Sequence, residues 1–298
     1  MTALINVEGA LPRPLWALTR YLLAVSGKRQ KAERVQAILS PPSLFDSGVD
    51  TEKTFERTVK VAKELGVLDE DDGYLALTAA VSGLAADDVE GFYDVLRHAI
   101  LHRVPDEVLG ADTSNTEGKD LLRAVCFFMT LPTDKTVDIN TFSKAQAGVV
   151  SDEFRNPFQN TARWAFFPAW AEALGFAATP LLHEGRTTTL VPDCRKAVRR
   201  TALRKWPAGT APSPRDLIAG LLEELPVLPG GAYSRVLGFD APEDGASQAL
   251  SAALLAGHDD GWLLLASRSD AANAIQLWDP DAGSGLRSVS AAEIKAAA

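Results

Sequence analysis

The sequence predicts a mainly α-helical protein with short β-hairpins, organised as tandem winged-helix-like units of the α+β kind. Three observations carry this expectation. Three short amphipathic helices near the N-terminus lead into a hairpin with an Asp-Gly turn. The same ending, a helix closing at Leu-Gly ahead of a hairpin, returns 109 residues later. And at 298 residues the chain exceeds the usual span of one hydrophobic core.

The first helix is expected over residues 11–25. Leu15, Trp16, Leu18, Leu22 and Leu23 recur there at helical spacing, and Pro12 and Pro14 stand at the start, where a missing N–H is tolerated. A second helix is expected over 30–39, stopped by Pro41 and Pro42, and a third over 54–65, entered through Asp50-Thr51-Glu52 and left through Gly66. Val67-Leu68 and 74–78 then read as two short strands around the acidic run Asp69–Gly73. A helix over 87–101 closes a first unit, 1–110, and the polar stretch from Gly110 to Asn115 reads as a linker.

The second unit, 111–210, repeats the order. Helices are expected over 117–130 and 139–147, an aromatic-rich helical stretch over 157–174, and a hairpin over 176–191 with Gly185 at its turn. Here Ala62-Lys63-Glu64-Leu65-Gly66-Val67 is echoed by Ala171-Glu172-Ala173-Leu174-Gly175-Phe176. Pro168 removes a backbone donor and predicts a break near Phe167. The remaining segment, 211–298, reads as a small α+β unit that also permits the winged-helix order. Its helices are expected over 214–225 and 246–256, and its strands over 262–266, 274–278 and 286–289.

Charge divides the chain more sharply than its net value of −9 does. Residues 1–110 hold 12 basic and 17 acidic side chains, residues 111–210 hold 13 and 10, and residues 211–298 hold 5 and 12, so the middle is basic inside an acidic chain. Overall acidity argues against nonspecific coating of nucleic acid. A local positive face remains open, because the field at a phosphate is set within roughly 10 Å at physiological salt. The N-terminus lacks the basic and apolar blocks of a secretion leader, and apolar stretches are interrupted well before bilayer length, so no membrane partner is expected. Cys126 and Cys194 stand far apart and fit a reducing cytoplasm.

Candidate DNA contacts fall in three groups. On the third helix Lys53, Arg57, Lys60 and Lys63 share one face opposite Phe55, Val59, Ala62 and Leu65, and Lys28, Arg29, Lys31 and Arg34 add cations at the start of the preceding helix. Glu56 and Glu64 leave open the plainer reading of a solvated amphipathic helix. Asn156, Asn160 and Arg163, with Gln159 adjacent, carry groups that pair with adenine and guanine edges, although Asn156 before Pro157 is also an ordinary helix cap. The densest group is Arg195, Lys196, Arg199, Arg200, Arg204 and Lys205, on a helix anchored by Val198 and Leu203. Its arginines suit phosphate or carboxylate forks, so either double-stranded DNA or an acidic surface of the chain's own outer segments could sit there.

Trp164, Phe166, Phe167 and Trp170 have the spacing of core residues. His98 and His102, four apart with Asp94 nearby, have no second ligand pair, and no phosphate-cradling loop or nucleophile elbow occurs. No catalytic residue, metal or cofactor is expected, and the chain reads as a non-enzymatic binding protein.

The segments Ala10-Leu11-Pro12-Arg13-Pro14-Leu15-Trp16-Ala17-Leu18 and Leu39-Ser40-Pro41-Pro42-Ser43-Leu44 resemble DpdG proteins of the bacterial gene islands that place 7-deazaguanine derivatives in DNA. The resemblance covers about a tenth of the chain directly and carries over no functional residue. It implies an accessory subunit that works with other proteins of a modification and restriction system against foreign DNA. A protein–protein scaffold in the same kind of complex, without DNA contact, is the alternative.

Overall fold

The computed structural model describes residues 4–5, 11–41, 43, 51–111, 118–147, 161–182, 188–267 and 274–296. About half of the chain is helical, and the described strands form small antiparallel sheets rather than one mixed sheet. The chain divides into two compact units: Met1–Arg103, Asn115–Leu121 and Ala162–Leu174 form the first, and Val104–Ser114, Leu122–Thr161 and Gly175–Ala298 the second.

In the first unit α1 (Pro12–Ala24) enters through Pro12 and Pro14 and buries Leu15, Leu18 and Leu22 as the periodicity predicts. The expected second helix is shorter than its pattern. Arg29–Lys31 form a strand, β1, and only Ala32–Leu39 are helical, α2. The correction has a physical cause: β1 adds to the hairpin edge, with Gln30 opposite Leu75, and ladder pairing overrides the local preference. Helix α3 (Thr51–Glu64) buries Phe55, Val59 and Ala62, with Leu65 just beyond its end, and stops at Gly66, whose φ of 70° suits the left-handed cap.

Strands β2 (Leu68–Asp71) and β3 (Tyr74–Leu77) follow, with β3 central in the order β1–β3–β2. Asp69, Glu70 and Asp71 therefore lie in the strand rather than the turn. The turn is Asp72-Gly73, both at positive φ (49° and 71°), which fits the twist of a two-residue hairpin. A short α4 (Ala79–Ser82) precedes α5 (Val89–Leu101), capped by Asp88, whose carboxylate accepts the Gly91 N–H at 2.8 Å.

The second unit opens with α6 (Asp106–Ala111), then α7 (Lys119–Phe128) continues into it and α8 (Ile139–Gln146) follows. A 3-10 turn over Thr161–Ala165 ends ahead of α9 (Phe167–Ala173), the break that Pro168 predicts. Helix α9 belongs to the first unit, where buried Arg97 of α5 donates to the Leu174 carbonyl at 3.3 Å. The expected hairpin over 176–191 is reduced to β4 (Ala177–Ala178) and β5 (Val191–Pro192), and its turn at Gly185 lies outside the described residues. Val137, just before α8, is bridged to Leu190, so a β1-like segment flanks β5 as β1 flanks β3.

The correspondence with the first half is close. Gly175 repeats Gly66 with a φ of 78°, α9 ends as α3 does, and β4 begins at the position equivalent to β2, all at the spacing of 109.

Helices α10 (Arg195–Lys205), α11 (Pro214–Glu224), α12 (Ala232–Val236) and α13 (Gln248–Asp259) complete the helical part of the second unit. Strand β6 (Leu263–Ala266) pairs with β9 (Ala291–Ile294), and the hairpin of β7 (Ile275–Trp278) and β8 (Leu286–Val289) is inserted between them in sequence. Phe127 stacks edge-on against Phe142, with centroids 5.0 Å apart, and the Tyr233 hydroxyl donates to the Val104 carbonyl. Both cysteines are free and buried, and burial pushes the Cys126 thiol up to about 12.

Candidate nucleic-acid interface

The basic segment folds as the single helix α10. Its inner side is Ala197, Val198, Thr201 and Ala202, while Leu203, expected as an anchor, is only half-buried. It follows β5 directly, because the Asp193 carboxylate accepts the Arg195 backbone N–H at 2.8 Å and so occupies one of the helix's open donors. The same carboxylate takes the Arg195 guanidinium in a fork, at 2.9 Å from Nε and 2.6 Å from Nη2, which raises the arginine's already high pKa.

At the other end Arg204 pairs with Glu224 at 2.8 Å, and Lys205 with Glu223 at 2.6 Å and Glu224 at 3.4 Å. Arg195, Arg204 and Lys205 are thus occupied by carboxylates of the same unit. Between these two ends Lys196 and Arg199 are exposed and Arg200 is half-buried. Among the described residues no carboxylate is ion-paired to Arg199.

The α3 face is diluted in another way. Lys53, Lys60 and Lys63 are exposed and Arg57 is half-buried, as a surface face requires. Lys63, however, donates to Glu70 of β2 at 2.7 Å. Of the cations expected at the start of α2, Arg34 lies in that helix, while Lys28 belongs to the turn before it and Arg29 and Lys31 to β1. Arg29 lies 4.5 Å from the Tyr74 ring centroid and 3.7 Å from Asp71, Lys31 lies 5.9 Å from the same ring, and Lys28 donates to the Ser82 carbonyl. This sheet consumes its own positive charge.

Arg163 departs furthest from expectation. It is half-buried in the first unit, and its charge bears on Asp120, a carboxylate at 0% exposure. Asp120 accepts the backbone N–H groups of Leu4 at 3.2 Å and Ile5 at 2.9 Å. Burial raises its pKa; those N–H groups and Arg163 pull the other way. A base-reading role for Arg163 competes with this structural one. Asn160, with Asn156 and Gln159, lies outside the described residues.

Trp164, Phe167 and Trp170 are core residues as expected, with Trp164 and Phe167 5.5 Å apart. The His98 and His102 rings lie 4.5 Å apart and tilted, and the neighbouring Asp94 pairs with Arg97. The residues that sequence reasoning missed are Asp193, Glu223, Glu224 and Tyr74. Each acts on a basic group from 2 to 45 positions away, and only Asp193 was adjacent enough to be found.

These features define a class: a helical protein with small antiparallel hairpins and a short positive helix face. The chain belongs to the DpdG-like family, which matches residues 2–271. No curated protein and no solved structure shows a significant match. Among the described residues no helix is long and apolar enough to cross a membrane.

Proposed function

We propose that this chain is a non-enzymatic, cytoplasmic, DNA-binding accessory subunit of a DNA modification and restriction assembly, built from tandem winged-helix units and needing no cofactor. The observation that carries the reading is topological. Helix, strand, helix, helix, strand, strand, with the third strand central, occurs at α1–β3; from α7 to β5 the helices and the two closing strands follow in the same order, with the isolated Val137–Leu190 bridge at the place of the first strand. That is the order of the winged-helix motif, which commonly sets a helix against duplex DNA. Family membership supports a part in a DNA modification system that includes other proteins.

In this reading Lys196, Arg199 and Arg200 on α10 meet phosphates, with Arg195 and Arg204 at the margins, shared with Asp193 and Glu224. Lys53, Arg57 and Lys60 on α3 form a second, weaker contact, and Asn160 and Arg163 remain the candidates for base edges. A scaffold reading is favoured by one specific observation: the carboxylate partners of α10 show that this helix already docks acidic surface.

Titrating binding to a duplex against salt separates the two. Counterion release makes log K fall by roughly 0.9 per tenfold rise in salt for each phosphate neutralised, so a steep slope supports DNA contact. No binding even at low salt leaves the scaffold.

A further inference from the structure

Among the described residues five large hydrophobic side chains are exposed, and three of them, Ile38, Leu264 and Leu286, are between 40% and 48% exposed. Leu181 and Leu182 differ in kind. They are adjacent, 103% and 89% exposed, and lie three residues beyond β4 on the outgoing arm of the second hairpin. Pro180 precedes them and fixes its own backbone angle, which limits how far the pair can fold back. Two neighbouring leucines wholly in water are unusual unless something covers them.

The chemistry around the pair narrows the occupant. The described residues of this hairpin, 177–182 and 188–192, include no ionisable side chain, and the sequence between them holds His183, Glu184 and Arg186. Directly after β5 comes α10 with its exposed Lys196 and Arg199. The first hairpin is the opposite, with Asp69, Glu70, Asp71 and Asp72 all exposed, which a polyanion would repel. An exposed leucine pair on a hairpin arm without ionisable side chains, followed after β5 by a cationic helix, complements a polyanion with apolar faces between its charges, which is duplex DNA with its stacked bases.

We propose that Leu181 and Leu182 form a wedge that enters the duplex at the second hairpin and parts a base step, bending the DNA. The proposal rests on the DNA-binding reading of the preceding subsection. Apolar side chains inserted from the minor groove unstack steps and kink the helix by roughly 20–90°. Pyrimidine–purine steps yield most easily, so they are the sites it selects.

The test uses the full chain and a duplex of about 30 base pairs, carrying 2-aminopurine at a TA step and a dye at each end. The wild type should raise 2-aminopurine fluorescence several-fold and shorten the end-to-end distance. L181S/L182S should lose both signals and keep the salt slope of binding, whereas L181M/L182M should keep both. Equal unstacking by the serine variant overturns the wedge, as does wild-type binding without any unstacking, and either result leaves DNA binding itself intact. Absence of duplex binding by every variant at low salt overturns the wedge together with the reading beneath it. Unchanged unstacking, with loss of association to a purified subunit encoded beside this chain, makes the leucines a protein contact and overturns the wedge as well.

Discussion

The two hairpin-bearing halves share a backbone order and differ in how they spend their charge. Around the first hairpin, Lys63 is held by Glu70, Arg29 by Asp71 and Tyr74, and the strand itself is acidic. Around the second, the described residues of the hairpin arms are neutral, and Asp193, Glu223 and Glu224 pair with the two ends of α10. The lesson is that topology sets where a surface can be, while the pairing of each cation sets whether that surface is available to phosphate.

The sharpest way to break the comparison is to remove cations from each half in turn. K196A/R199A/R200A should weaken duplex binding by roughly 100-fold and reduce the salt slope by about 2 to 3, because up to three phosphate contacts go. K53A/R57A/K60A should cost far less. Measured by fluorescence anisotropy, equal losses would erase the distinction drawn between the halves.

The paired glycines sharpen it next. Both Gly66 and Gly175 hold left-handed angles, yet a Cβ at Gly66 meets nothing within 4 Å, whereas one at Gly175 lies 2.9 Å from the Ala197 backbone nitrogen. Gly66→Ala should cost about 1 kcal/mol, the conformational penalty alone. Gly175→Ala should cost about 2 kcal/mol or more, since α10 must shift as well. Urea denaturation of the two variants checks this, and similar values would mean that α10 is less tightly seated than its contact with Gly175 requires.

Two carboxylates predict opposite responses to pH. Asp120, raised by burial, contributes stability that is complete below its unfolded pKa and is lost as pH rises through its folded one. Asp138, lowered chiefly by the Thr141 N–H it accepts, contributes stability that is present above its unfolded pKa and is lost as pH falls through its folded one. Stability curves of D120N and D138N against wild type, from the acid range to neutrality, should therefore diverge with opposite slopes.

The smallest effect is the Lys63–Glu70 pair. Both side chains are partly exposed, so a double-mutant cycle should return a coupling of about 0.5 kcal/mol.

Much of this was legible in the sequence, and the failures have identifiable causes. The apolar faces of α1 and α3, the break at Pro168 and the Leu-Gly endings depend on local periodicity and backbone angles, which neighbouring residues decide. Strand β1 was hidden inside a helical pattern because Arg29-Gln30-Lys31 offers no apolar alternation; it exists only because β3 is there to pair with it. Strand β9 was missed because Ala291-Ala292-Glu293-Ile294 favours helix and is held extended by β6.

The site followed the same rule. Its positive residues were visible as a dense run, but the carboxylates that claim Arg204 and Lys205 lie 18 to 20 positions downstream, and the Asp120 that Arg163 faces lies 43 positions upstream. Sequence spacing can show a charge and cannot show its partner.

Hydrogen exchange of the whole chain with and without a saturating duplex tests most directly the claim that the second half holds DNA and the first hairpin does not. Slowed exchange in Arg195–Lys205, with no change in Leu68–Leu77, is the predicted outcome. Protection of the acidic hairpin with α10 untouched would contradict it.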